Sequence, residues 1–298
     1  MVLRRPPTLR APWLRLLTTM AALWFAPGPA GADPGPLTAE ETCAAVGGKL
    51  SSVSAADCLS FRMTKSGESR HGRAILLKEY PPLKQRPPQA RVLVLGGVHG
   101  DEYSSVSIVF KWMKQLDAHH SGLFHWMIAP LVNPDGLLQP VSQRVNAAGV
   151  DLNRNFETPD WQAQSRDYWQ RQTGSDPRRF PGHAPLSEPE SRWMKERIDA
   201  FKPHAIVSIH APYGLLDFDG PPTTPPKRLG RLTLSPMGTF PGSLGRYAGL
   251  ELKIPVITIE LENAGVLPPP AEVQEIWSDL IRWLRTHVHA SSSPAKGK

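Results

Sequence analysis

Cysteine is almost missing from this chain: Cys43 and Cys58 are the only two among 298 residues. A cysteine-built zinc site would lack its other ligands nearby, and a catalytic thiol has no evident oriented histidine. Long apolar runs are also missing. The longest, over 16–26, is shorter than the ~20 residues a membrane-spanning helix needs. No GxxxxGK[ST] or GxGxxG spacing marks a phosphate cradle, and no GxSxG elbow marks a serine nucleophile. No internal repeat is visible.

The apolar run over 16–26 is preceded or opened by Arg4, Arg5, Arg10 and Arg15, and Ala30-Gly31-Ala32 follows it. That order reads as an export signal over 1–32, with Asp33 first in the mature chain and a periplasmic destination; a membrane anchor is the competing reading. Removing four arginines and no acids lowers the formal charge from +7 to +3, so the basic balance gives little support to a nucleic-acid partner. In an oxidising compartment Cys43 and Cys58 are expected to form a disulfide that staples an N-terminal extension over 33–65, with Gly47-Gly48 as a turn. Residues 290–298 read as a polar, disordered tail.

Between these ends the pattern is α/β. Apolar runs over 91–95, 126–132, 205–209 and 256–261 have the continuous β-type composition of buried strands, while 104–116, 188–201 and 271–287 carry helical periodicity. Strands alternating with helices imply a parallel or mixed sheet within a domain over 66–289. The proline-rich stretches 81–88 and 221–226 read as rigid loops.

Chemistry concentrates at strand ends. Gly96-Gly-Val-His-Gly-Asp-Glu102 places His99 and Glu102 three positions apart, just beyond a strand, where open α/β sheets carry their sites. A catalytic zinc takes three protein ligands of this type, and His210 at the end of another run would be the third. The other histidines lack such context. The loop 143–155 is dense in arginine and asparagine: Arg144 could face a developing oxyanion, and Asn153 with Arg154 could clamp a carboxylate. In Val256-Ile-Thr-Ile-Glu260-Leu-Glu262 a carboxylate sits inside an apolar run, so Glu260 or Glu262 is expected to line a site with a raised pKa.

In this order and context, His99, Glu102, Asn153-Arg154, His210 and Glu260 resemble the M14 zinc carboxypeptidases over about residues 66–285. Within that family the likeness is to the murein peptide amidases, through Gly67-Glu-Ser-Arg-His-Gly-Arg73, Gly149-Val-Asp-Leu-Asn-Arg-Asn-Phe156, Ser187-Glu-Pro-Glu190, Asp217-Phe-Asp-Gly220 and Pro241-Gly-Ser243. The resemblance implies a three-layer α/β/α sandwich around a mixed, mainly parallel sheet of about eight strands. It implies one Zn²⁺ per chain on His99, Glu102 and His210, Arg144 at the carbonyl, Asn153 and Arg154 on the terminal carboxylate, and Glu260 rather than Glu262 as the general base. The implied substrate is a murein peptide, cut between γ-D-glutamate and meso-diaminopimelate. Digestive relatives also carry a capping tyrosine; Phe240 lies in that region here, and Tyr247 or Tyr213 are the possible substitutes. Two other readings compete: a small-molecule deacylase of the aspartoacylase or succinylglutamate desuccinylase type, and a non-catalytic wall-binding module.

Overall fold

The computed structural model describes residues 38–84 and 87–290. The expected export signal and, from residue 291, the expected tail lie outside the described residues. Among the described residues, no helix is long and apolar enough to cross a membrane.

The strands are β1 (Thr64–Glu68), β2 (Ala74–Tyr80), β3 (Ala90–Leu95), β4 (Phe124–Ala129), β5 (Ala205–His210), β6 (Leu215–Asp219), β7 (Arg228–Leu229), β8 (Leu232–Thr233) and β9 (Val256–Glu260). Seven of them form one mixed sheet in the order β1-β2-β4-β3-β5-β9-β6, and β7 with β8 forms a separate ribbon. The central four, β4, β3, β5 and β9, are mutually parallel, whereas β1, β2 and β6 join through antiparallel pairings. The central four are the continuous apolar runs, as parallel strands covered on both faces require. The edge strands β1 and β6 alternate or mix polar residues, which an antiparallel edge tolerates.

Helices cover both faces. On one side α3 (Tyr103–His119) and the helix Pro270–His287 pack against Val94, Val207, Ile257 and Ile259. On the other, Trp193, Met194 and Ile198 of a helix over Pro189–Phe201 pack against Leu93, Leu95, Ile206 and Val256. The Trp277 ring packs tilted against both Trp112 and Trp126, each pair with ring centroids 5.3 Å apart. Such pairs add about 0.5–1.5 kcal/mol each beyond their burial. The product is the three-layer sandwich.

The extension forms α1 (Ala39–Lys49) and α2 (Ala55–Ser60), joined by a Cys43–Cys58 disulfide with Cα atoms 5.4 Å apart. Val46 and Phe61 belong to the same core as α3. Gly47 and Gly48 are not a turn, because α1 continues through them. A Cβ at Gly47 would lie 2.9 Å from Ala55 Cα, so the glycine serves the close approach of α2 to α1.

Candidate active site

His99 and Glu102 lie where β3 empties into α3, His210 ends β5, and Glu260 ends β9 directly opposite His210 in register. All four are at least nine-tenths buried. The sheet order places β3, β5 and β9 side by side, so three separate strand ends deliver one cluster.

The donor atoms converge. His99 Nδ1 is 2.8 Å from Glu102 Oε1, His210 Nδ1 is 3.1 Å from Glu102 Oε2, and the two Nδ1 atoms are 3.0 Å apart. Tetrahedral ligands at about 2.0–2.1 Å from zinc would stand about 3.3 Å from one another, within about half an ångström of each of these separations. The outer nitrogens show why these atoms face inward. His99 Nε2 meets Asp151 Oδ1 at 3.1 Å, and His210 Nε2 meets Ser208 Oγ at 3.0 Å. Burial raises the Asp151 carboxyl, but Arg144 and His99 more than reverse this and hold it well below the usual carboxylate range. An ionised carboxylate only accepts, so His99 donates from Nε2 and a neutral ring turns its Nδ1 lone pair toward Glu102. A lone pair and a carboxylate at that distance call for positive charge between them, a proton or a cation. The donor set therefore fits a divalent metal ion.

Arg144 crosses the back of this cluster, bonding Asp151 Oδ2 through Nε and Glu102 Oε1 through Nη1, each at 3.2 Å. It also lines the adjoining cavity of about 170 Å³. Burial pushes the Glu260 carboxyl up from its ordinary value while His210 and His99 pull it down, and its Oε2 has no partner among the described residues. Glu262 follows the end of β9 and is exposed, so of the two candidate acids only Glu260 lines the cavity.

Arg154 is buried in the same cavity lining. Its guanidinium lies 4.3 Å from the Phe240 ring centroid and Nη1 donates to the Asn153 carbonyl, but Nε has no partner. Asn153 Oδ1 accepts from Leu244 N at 2.8 Å, which leaves its amide donors for another group. Of the tyrosines considered for capping, Tyr247 is buried and stacked on Phe156, whereas Tyr213 stands exposed at the cavity with its hydroxyl 3.5 Å from Arg179 Nη2. Sequence reasoning missed Asp151, Ser208, Arg179 and any role for Asp217 and Asp219, which line or support the cavity. The period-two acids in Leu215-Leu-Asp-Phe-Asp219 were a usable signal.

A polar buttress holds the loop that carries Arg144 and Asp151. Asn146 donates to Glu188 Oε2 at 2.8 Å and Glu190 Oε2 at 3.0 Å, while its own oxygen accepts from Ala148 N and Val150 N. Ser69 and His71, in the turn between β1 and β2, bond Asp135.

Comparison with known proteins agrees with this geometry. Residues 55–216 match the zinc carboxypeptidase family of M14 peptidases, a span that contains His99, Glu102, Arg144, Asn153, Arg154 and His210. The chain belongs to that family. It is 33% identical over 161 residues to murein peptide amidase A of Escherichia coli K12, covering 51% of this chain and 62% of that protein, so less than two thirds of the relative's length is matched. The Vibrio campbellii protein of the same name is 32% identical over 191 residues, covering 60% and 74%. The crystal structure of murein-tripeptide amidase from Escherichia coli O157 superposes with a TM-score of 0.53 at 25% identity, over 74% of this chain and 92% of that one. Carboxypeptidase A from Helicoverpa armigera gives a TM-score of 0.57 at 18% identity, over 77% and 70%, a likeness of fold.

Proposed function

We propose that this protein is a zinc-dependent metallopeptidase that releases the C-terminal residue of a peptide, with the γ-D-glutamyl–meso-diaminopimelate bond of murein peptides as its target. The observation that carries the reading is a cavity lined by His99 and His210, whose donor atoms converge with those of Glu102, together with Glu260, whose Oε2 is unpartnered, and Arg154, whose Nε is unpartnered among the described residues. The relatives named for murein peptides support the substrate.

His99 Nδ1, His210 Nδ1 and the Glu102 carboxylate would hold one Zn²⁺ per chain, which would supply Lewis acidity at the scissile carbonyl. Asp151 and Ser208 orient the two imidazoles. Arg154 and the free amide of Asn153 bind the terminal carboxylate and fix the register of the peptide. Arg144 adds positive charge beside the carbonyl. Glu260 Oε2 takes a proton from the attacking water and returns it to the leaving amine, a task matched to a carboxyl whose pKa burial has raised. With the leader expected over 1–32, the reaction would take place in the periplasm, on peptides released from the wall.

The test is zinc content of the mature protein together with diaminopimelate release from L-Ala-γ-D-Glu-meso-diaminopimelate. Stoichiometric zinc with release supports the proposal. Zinc without release from this tripeptide or from ordinary peptides, accompanied by hydrolysis of N-acyl amino acids, would replace it with a deacylase.

A further inference from the structure

The N-terminal hairpin has no part in the chemistry above, yet its bonds lead toward it. α1 precedes residue 55, where the match to the zinc carboxypeptidase family begins, so it lies outside the span shared with that family. Its last residue is Lys49. Lys49 Nζ donates to Gln139 O at 2.7 Å and to Pro140 O at 3.1 Å, 90 and 91 positions further along the chain, and stands 5.9 Å from the Tyr103 ring centroid. Among the described residues no carboxylate pairs with Lys49, and neither carbonyl has another hydrogen-bond partner.

Gln139 and Pro140 lie in the stretch 138–143, which joins the helix Pro134–Leu137 to Arg144. This stretch has little of its own to hold it. Val141 at its centre is 74% exposed. Gln143 N donates to Gly136 O at 2.9 Å, Ser142 Oγ to Leu137 O at 2.6 Å, and Tyr103 Oη to Ser142 Oγ at 2.7 Å. A segment with few buried contacts opens locally at small cost unless something outside it holds it. Lys49 is such an outside hold, and a bond from an ammonium is among the stronger hydrogen bonds available. At its far end the stretch delivers Arg144, whose carbonyl accepts from Gly100 N and Asn133 Nδ2 and whose guanidinium bonds Asp151 and Glu102.

The hairpin gives this lysine a fixed base. Cys43–Cys58 ties α1 to α2, and the two helices are in close contact at Gly47 and Ala55. Ser52, in the bend between them, donates to Ser107 Oγ at 2.6 Å and its carbonyl accepts from Lys111 Nζ at 2.6 Å, both on α3. Cys43, Val46, Leu50 and Phe61 are buried in the core shared with α3. The Lys49 bonds therefore tie a loop with little structure of its own to a covalently closed, buried base. The competing account is a lysine that only offsets the carbonyl end of its own helix. Any cation in the last turn does that, and it calls for no contact with a loop 90 positions away.

We propose that Lys49 is a positioning residue for the peptidase reaction: by holding the Gln139 and Pro140 carbonyls it fixes the segment that presents Arg144 to the scissile carbonyl. This rests on the peptidase reading for its effect on turnover, whereas the hold on the loop is a property of the folded protein by itself. Lys49 touches neither substrate nor metal ligand and acts through Arg144. The hairpin is thereby part of the active-site framework, and its disulfide serves the reaction by keeping Lys49 within reach of the loop.

The experiment measures the loop and the reaction separately in the zinc-loaded mature protein. Lys49→Met removes the ammonium at similar side-chain length, and Lys49→Arg keeps a donating cation. Lys114→Met is the control, because it breaks a different bridge between the hairpin and α3, the exposed Lys114–Asp57 pair. Amide hydrogen exchange over 138–144 should quicken about tenfold or more in Lys49→Met, the factor that one charge-assisted hydrogen bond is worth. Its kcat on L-Ala-γ-D-Glu-meso-diaminopimelate should fall by about tenfold to a hundredfold, the cost of a misplaced group beside the reacting atoms. KM, zinc content and the urea midpoint should stay close to those of the parent. Lys49→Arg should recover most of both effects, and Lys114→Met should show neither. Unchanged exchange or unchanged kcat in Lys49→Met overturns the proposal, as does a fall in kcat that Lys114→Met shares or that comes with lost zinc or stability. Should the parent itself release no diaminopimelate, the peptidase reading falls. The hold on the loop is then judged by exchange alone, standing if exchange quickens in Lys49→Met and falling if it does not.

Discussion

Glu190, in the buttress behind the Arg144 loop, and Asp219, in the cavity lining, are both acids that burial pushes to about 7. Their surroundings are opposite. Glu190 accepts from Arg70 N at 2.9 Å and from Asn146 Nδ2 at 3.0 Å, so each of its oxygens is tied to another part of the chain. Asp219 is tied to nothing among the described residues. A raised acid is therefore no mark of function by itself. What separates a strut from an open group is whether the protein supplies the partner. The same contrast runs through the catalytic end: Glu102 and Asp151 are fully paired by His99, His210 and Arg144, whereas Glu260 Oε2 and Arg154 Nε are left open.

The contrast is broken most severely at the open groups. Glu260→Gln should retain zinc while turnover falls by about 10²–10⁴, the range expected for removing a general base; retained zinc with undiminished turnover would reject Glu260 as the base. His210→Ala should lose zinc on dialysis, because two donors remain where a catalytic site keeps three. For Arg154→Ala, a large loss of kcat/KM is expected on peptides with a free C-terminal carboxylate and little change on their C-terminal amides. Equal losses on both would mean that Arg154 only supports the loop. At the paired groups the effect should appear in stability instead. Asn146→Ala strips donors from two buried acids and should cost about 1–3 kcal/mol in urea unfolding, with zinc content preserved. Loss of zinc without loss of stability would place Asn146 in the site rather than behind it.

The legible parts of the fold are those where one residue type serves one purpose. Parallel strands buried on both faces must be apolar throughout, so the runs ending at Leu95, Ile209 and Glu260 stand out, and the polar residues that follow or interrupt them stand out with them. The edges of the sheet hide because their composition is mixed. Thr64–Glu68 has no apolar face, and Leu215–Asp219 spends its period-two positions on cavity acids instead of core residues. Asp151 was hidden differently. It stands among several polar residues of an irregular loop, and only the three-dimensional path that brings its Oδ1 to His99 Nε2 sets it apart. Gly47-Gly48 was misread because a glycine pair is a turn signal locally, while the closeness of α2 to α1 is a tertiary fact.

The smallest expected effect tests the strut itself. The folded chain holds Glu190 near 7, while the unfolded chain returns it to its ordinary 4.5. Below pH 4.5 both states carry the proton and the group contributes its full stabilisation. Between 4.5 and about 7 the folded state keeps a proton that the unfolded state has released, so this contribution declines as pH rises and is gone above about 7. The total is on the order of 3 kcal/mol at most, because relaxation of Asn146 and Arg70 lets the ionised carboxylate be better served. Glu190→Gln cannot ionise, so its unfolding free energy should fall less than that of the parent between pH 5 and 8, and the variant should gain relative to the parent toward pH 8. Parallel pH profiles for the two proteins would show that Glu190 is already ionised in the buttress, with Asn146 and the Arg70 amide sufficient to hold the charge. Glu190 would then be the better-compensated acid of the two, and its contrast with Asp219 would be wider still.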